Sequence, residues 1–247
     1  MCGRYVLEPE IEDFYDEWAL TSAPEERLSP SWNIAPTSEV PILLERYDDA
    51  GRRLREVHSA RWGLLPRWAE KPSFSSQTFN ARSETVLSKP SFSSSAAARR
   101  CAIPASAYYE WSRKRPYAIR PPEGRPLLFA GIYEWWRDPQ KAARGEPAPW
   151  VLSCSILTGP RPEPATPVLR TLHELHDRIP LAMDQETAFA WIRPGARRRD
   201  QLEPMVERLR TEVSAVAAAW DIYEVGPEVG STRNDSPRLL EPLQTLV

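Results

Sequence analysis

The stretch RCAIPASAYYEW (100–111), followed by LLFAGIYEWW (127–136) and WVLSCSIL (150–157), decides the fold of this chain. Each run is short, apolar and rich in aromatic or β-branched residues. Each is bounded by proline, glycine or polar clusters, which is how buried strands read. Working outward, VPILLERY (40–47), VHSARWGLL (57–65) and DIYEV (221–225) repeat the pattern. The 26 prolines, about twice the ordinary share of ~5%, fall mainly between these runs and punctuate them. Helical spacing occurs at the two ends. Ile11, Phe14, Tyr15 and Trp18 predict a helix over 9–20. A second is predicted over 184–192, and a third from about 200, where Leu202, Met205, Val206 and Leu209 recur. Ser91–Ala98 and Pro139–Pro149 read as surface loops. No repeat is present, so the pattern predicts one α+β domain over 1–247: a mixed, strand-rich, barrel-like sheet with peripheral helices.

Composition narrows the function. With 247 residues, 41% hydrophobic and 27% charged, the chain can fill one core and is not disordered. Its longest unbroken apolar run, Ala215 to Trp220, is too short to cross a membrane. The acidic N-terminus lacks a hydrophobic targeting segment, so a cytoplasmic, membrane-free protein is expected. Cys2, Cys101 and Cys154 show no CxxC spacing, and His173 and His176 have no companion at metal-site spacing. No phosphate loop, dinucleotide fingerprint, nucleophile elbow or HExxH is present. Neither a metal nor a cofactor is expected. The net charge of −2 gives no global field for nucleic acid. Locally, Arg99, Arg100, Arg113, Lys114, Arg115 and Arg120 face one acid, Glu110, and Arg197–Arg199 form a second cluster. Such runs are either solvated faces or anion contacts.

The start, Met1-Cys2-Gly3-Arg4, carries the chemistry. Removal of Met1, favoured by the small side chain that follows, leaves Cys2 with a free α-amine beside its thiol. An α-amine has a pKa of about 8, so at pH 7 it is neutral roughly 250-fold more often than a lysine. The neutral amine condenses with an aldehyde to a Schiff base, and the thiol then closes a five-membered thiazolidine ring. The same thiol is also a candidate acyl-transfer nucleophile.

Cys2-Gly3-Arg4, WNIAPT (32–37), RWGLLPRWAEKP (61–72), FNARSETV (79–86), RRCAIPASAYYEW (99–111), LHDRIP (175–180) and STRNDSPRLLEPL (231–243) occur in that order. Together they resemble the SOS-response-associated peptidase (SRAP) family of abasic-site processing proteins, over nearly the whole chain. The resemblance implies the SRAP barrel-like fold and a covalent cross-link from Cys2 to the aldehyde of an abasic site in single-stranded DNA. It implies Cys2, Asn80, Glu110 and His176 as catalytic residues. Arg4, Arg82 and Arg178 are implied to meet the DNA backbone, and Pro36 and Trp68 the opened strand. Two departures, Ala107 and Ser236 where the family has glycine, bear on backbone geometry.

Each assignment has a plainer alternative. Glu110 reads either as a proton donor for opening the abasic sugar or as a surface carboxylate on a strand. His176 reads as a proton carrier or a capping histidine, and Asn80 as an orienting group or a turn residue. Arg82 and Arg178 either grip phosphates or pair with acids such as Glu84 and Asp177. Trp68 is a stacking platform or a core residue. Cys101 and Cys154 read as inert buried thiols. Three functions follow: a monomeric abasic-site cross-linking factor with a lyase side branch, a thiol peptidase using Cys2 and His176, or a non-enzymatic single-strand-binding module.

Overall fold

The computed structural model describes residues 2–8, 18–22, 29–122 and 126–243. The helix expected over 9–20 falls largely outside them. At the centre is a ring of five strands. Strand β3 (Glu39–Tyr47) pairs along its length with β4 (Arg53–Trp62), and on its other side meets β6 (Arg100–Ala105) at Leu43↔Ala102. Strand β6 pairs with β9 (Leu127–Arg137), which pairs with β10 (Trp150–Pro160). The ring closes because β10 also pairs, in parallel, with β4 at Ser153↔Arg61 and Cys154↔Trp62. Closure removes the exposed edges that an open sheet would carry. The interior is filled by buried apolar residues including Ile42, Trp62, Ile103, Phe129 and Ile156. Gly131 is small because a Cβ there would sit 2.8 Å from the Cys101 sulfur.

The expected single run over 100–111 is two strands in two sheets. At Ser106 the backbone N–H donates to Val6 O (2.7 Å), and the hydroxyl accepts from Glu8 N–H (2.8 Å). The chain therefore turns out of the barrel into β7 (Ala107–Ser112), which pairs with β1 (Tyr5–Leu7). With β2 (Ser31–Ile34), β8 (Arg115–Arg120) and β13 (Asp221–Glu224) they form a second antiparallel sheet, ordered β13-β8-β7-β1-β2. The N-terminal strand thus lies between β7 and the edge strand β2, which fixes Cys2 just ahead of it.

Short β5 (Asn80–Arg82) continues the β4 side of β10, pairing Ile156↔Asn80 and Thr158↔Arg82. On the opposite side, β11 (Arg178–Pro180) pairs Pro160↔Arg178, and β12 (Ala182–Met183) joins β9. Helices pack outside: α1 (Ser93–Ala98), α2 (Pro139–Ala143), α3 (Pro167–Leu175), α4 (Gln185–Ile192) and α5 (Arg199–Ala217). The two stretches expected to be loops each contain a short helix. α1 forms because Ser95 and Ala96 bury against the barrel, and α2 because the Asp138 side chain caps Gln140 and Lys141 N–H. No helix among the described residues is long and apolar enough to cross a membrane.

The cation clusters do not form one surface. Arg99 pairs with Glu134, Arg115 with Glu224 and Arg120 with Glu8. Arg198 and Arg199 pair with Asp200 and Glu203. Arg100 is only 2% exposed and donates to five carbonyls: Ala96, Ala97, Trp191, Arg193 and Gly195. These carbonyls lie at and beyond the C-terminal ends of α1 and α4, where backbone acceptors otherwise lack partners.

Candidate active site

Cys2 is buried at the junction of the two sheets. Its carbonyl accepts a 2.7 Å hydrogen bond from Asn80 Nδ2, and its thiol donates weakly to Arg4 O at 3.9 Å. β5 is held against β10, so the Asn80 amide arrives on a rigid element. Asn80 Oδ1 is also buried and has no hydrogen-bond partner among the described residues. Burial pushes the Cys2 thiol well above its ordinary range, and the Glu110 carboxylate nearby pushes it further. The thiol is therefore protonated at neutral pH.

Glu110 lies on β7, paired with Tyr117 on β8, and is 5% exposed. Alternation along the strand puts it on the face of Tyr108, which belongs to the same apolar cluster as Cys2, whereas Tyr109 packs in a separate one. Burial, followed by the Glu110 charge, also raises the Tyr108 hydroxyl. The reading of Glu110 as a surface carboxylate is thereby overturned: a central strand, covered on both sides, has no solvent face.

His176 is the residue that ends α3. Its Nδ1 lies 2.9 Å from Arg178 N–H and 3.0 Å from Asp177 Oδ1. Nδ1 thus stands between a backbone donor and a carboxylate acceptor. Its neighbour Arg178 forks onto Glu84 and also reaches Thr158 O at 2.7 Å. This bridge holds the Glu84 carboxyl down at about 2, with Arg178 the main cause. Arg178 thus adopts the ion-paired alternative in this state. Arg82, two residues from Asn80 on β5, is exposed and makes no side-chain ion pair among the described residues.

Arg4 donates to Asn33 Oδ1 (2.8 Å) and Val229 O (2.9 Å), and burial lowers its pKa. Buried Asn33 in turn donates to Val229, Ser231 and Asn234 carbonyls. Asp235 accepts from Ser31 Oγ (2.9 Å) and Trp32 N–H (2.5 Å). These contacts strap the 229–235 segment across β1 and β2. Sequence reading quoted both motifs but gave Asn33 and Asp235 no role. Their signal was the pairing of two polar motifs about 200 residues apart, which periodicity cannot reveal. The glycine departures cost no geometry. Ala107 lies in regular β7, and Ser236 has φ −157°, an extended conformation open to any residue.

Pro36 occupies the half-buried turn after β2, tied to the barrel by Thr37 N–H to Trp62 O (2.7 Å). Trp68 is 55% exposed on the loop after β4, edge-on to Phe74 at 5.1 Å, which is the solvent-facing alternative. Cys101 and Cys154 are buried inside the barrel, and burial raises both thiols. No cluster of three or more His, Cys, Asp or Glu side chains suited to a metal occurs among the described residues.

A sequence profile of the SOS response associated peptidase (SRAP) family matches residues 1–232. The chain belongs to this family. Among SRAP relatives, the abasic site processing protein YoqW of Bacillus subtilis is 31% identical, covering 98% of this chain and 99% of its own length. The abasic site processing protein HMCES of Rattus norvegicus is 28% identical over 90% of this chain and 67% of its own. A crystal structure of a Bacteroides thetaiotaomicron protein shares the SRAP fold with a TM-score of 0.74 at 21% identity, covering 98% of this chain and all of that one.

Proposed function

We propose that this protein processes abasic sites by forming a thiazolidine cross-link between Cys2, once Met1 is removed, and the ring-opened aldehyde in single-stranded DNA. The carrying observation is the placement of the Asn80 amide on the Cys2 carbonyl with Glu110 beside the thiol. Both relatives named above are called abasic site processing proteins, which supports the substrate class.

The steps balance without an oxidant or cofactor. Glu110 in its protonated form gives its proton to the sugar ring oxygen while the C1′ hydroxyl loses its own to solvent, which opens the hemiacetal to the aldehyde and leaves the carboxylate that faces the thiol. The neutral α-amine attacks C1′ and water leaves, giving the imine. The Cys2 sulfur then adds to C1′ while its proton passes to nitrogen, closing the ring. A thiol kept protonated by burial suits this order, because amine attack comes first and the S–H supplies the last proton. The buried Asn80 Oδ1 is an acceptor suited to the α-ammonium or a sugar hydroxyl. His176, with one ring nitrogen between the Arg178 N–H and the Asp177 carboxylate, is suited to relay protons between these steps. β-Elimination from the imine would release the 3′ phosphate as a lyase side branch. Phosphate contacts fall to exposed Arg82 and, after release from Glu84, to Arg178. Arg4 stays beside Cys2, and Pro36 and Trp68 border the opened strand. We place this chemistry in the cytoplasm, on DNA, with the protein acting as a monomer.

The peptidase reading has less support: it asks for a thiolate, and burial with Glu110 drives the thiol the other way. The binding-module reading needs a concentrated basic face, and Arg99, Arg100, Arg115, Arg120, Arg198 and Arg199 of the two clusters are instead spent on ion pairs and carbonyls.

The test is a heat-stable cross-link assay with abasic single-stranded DNA, after intact mass spectrometry confirms each N-terminus. Mature wild type should form the adduct. Protein retaining Met1 keeps the thiol but converts the Cys2 amine to an amide, so its adduct should vanish. Cys2→Ser should give only a reversible imine that borohydride captures. A stable wild-type adduct in the Met1-retaining protein would overturn the mechanism.

A further inference from the structure

A second constellation lies on the barrel wall away from Cys2. Arg67, Trp135, Arg137 and Trp150 line an open cavity of about 520 Å³. Trp135 is 40% and Trp150 61% exposed, although tryptophan is among the most costly side chains to leave in water. Trp135 and Arg137 are two apart on β9, and Arg137 faces Trp150 across the ladder, so all three share one face. Trp136 points the other way and donates to Ala69 O at 2.8 Å, pinning the loop that carries Arg67 and Trp68. Arg67, one residue from Trp68, brings that loop to the edge of the groove.

Its charge is unbalanced. No acid lines it, and Glu134, paired with Arg67, is 1% exposed and already accepts from Arg67 Nε (3.2 Å), Arg99 (2.5 Å) and Ser95 (3.3 Å). Arg137 donates only its Nε, to Ala148 O, leaving both terminal nitrogens without a partner among the described residues. Two exposed indoles beside two guanidiniums with free ends match the chemistry of a single nucleic-acid strand: π-faces for bases, forks for phosphates. A peptide without acidic residues would satisfy the indoles but not the two guanidiniums, whereas every nucleotide of a strand brings both a π-face and a phosphate.

We propose that this groove is a secondary docking site for the same single strand that is cross-linked at Cys2, an inference that rests on the function proposed above. Asn80 sits opposite Ile156, and Trp150 lies six residues earlier on β10. At about 3.3 Å per residue that is about 20 Å, or about six nucleotides at a stacked rise of ~3.4 Å. The groove would hold bases about six nucleotides from the lesion and set a minimum strand length for tight binding.

The test is fluorescence anisotropy on strands carrying a tetrahydrofuran abasic analogue, which binds without reacting. Strands of about 20 nucleotides should lose affinity about tenfold per stacked base in W135A/W150A. Analogue strands of about 5 nucleotides, too short to reach the groove, should bind as to wild type, and reactive abasic strands of that length should cross-link as in wild type. Arg137→Ala should lower the salt slope of long-strand binding by about 0.7. W135F/W150F, which keeps aromatic faces, should retain most of the affinity and guards against misfolding as the cause. Unchanged long-strand affinity in both W135A/W150A and Arg137→Ala would overturn the groove. The two proposals separate cleanly. A normal adduct with unaltered long-strand binding removes the groove alone, whereas no wild-type adduct with groove-dependent binding of undamaged long strands removes the cross-link mechanism alone.

Discussion

Arg100 and the Cys2 pocket both take polar groups out of water, and the fold completes them in opposite ways. Around Arg100, five carbonyls consume the guanidinium's donors, and the charge survives even though burial pushes its pKa down to about 10. Around Cys2, Asn80 spends its amide on the backbone and keeps a buried, unpartnered oxygen, while the thiol sits desolvated beside Glu110. A buried acceptor without a donor is destabilising by about 1–3 kcal/mol. The fold saturates the Arg100 guanidinium, whereas Asn80 Oδ1 finds no partner among the described residues.

The contrast can be broken most sharply at Glu110. Glu110→Gln should slow cross-linking by about 10²–10⁴-fold while single-strand affinity stays nearly unchanged. Rapid-quench adduct kinetics beside an anisotropy titration read both. Equal losses in rate and affinity would move Glu110 into the architectural class with Arg100.

Next comes Arg100→Met, which should destabilise the fold by about 3–5 kcal/mol by stranding buried carbonyls at the ends of α1 and α4. Urea unfolding measures it. A loss under about 1 kcal/mol would mean those carbonyls find water instead.

A smaller effect is expected in the β7–β8 hairpin, where Arg113 and Lys114 hold φ of +50° and +68°. Lys114→Gly should raise stability by about 1 kcal/mol, because glycine adopts that conformation without Cβ strain. Thermal melting detects the shift, and a lower melting temperature would contradict it.

The smallest effect concerns Glu84, which stands between the two classes because it occupies an arginine that DNA could claim. Its folded carboxyl titrates at about 2 against an ordinary 4.5, so its contribution is complete above about 4.5 and lost as pH falls towards 2. Glu84→Gln should flatten the acid limb of stability in that window, by under ~1 kcal/mol for a pair this exposed. At neutral pH it should free Arg178 and steepen the salt dependence of DNA binding by about 0.7. An unchanged slope would leave Arg178 architectural.

Much of the fold was legible because burial writes itself into local pattern. The runs at 40–47, 127–136 and 150–157 and the helix over 184–192 are close to the observed elements, since one core imposes period two on strands and 3.6 on helices. What escaped had weak local signal. β8 (RPYAIR) follows a turn of Arg113 and Lys114 with no glycine or asparagine to announce it, and three-residue β1, β5 and β11 exist only through their partners. α3 begins at a proline that reads equally well as strand punctuation.

The sequence alone placed a small residue, Cys2, directly after Met1, and the proposed amine–thiol chemistry rests on that order. It also determined a strand-rich single core, from residue spacing. Tertiary structure decided which charges have work left to do. Arg82 and Arg178 are two residues of one type in two similar motifs, yet one faces solvent and the other is bound to Glu84 and Thr158. Likewise Glu110 is buried because β7 is an interior strand, and Trp135 is exposed because β9 and β10 extend past the core. Partners as far apart as Glu84 and Arg178, or Tyr5 and Tyr108, set these outcomes, and no short window of sequence contains them.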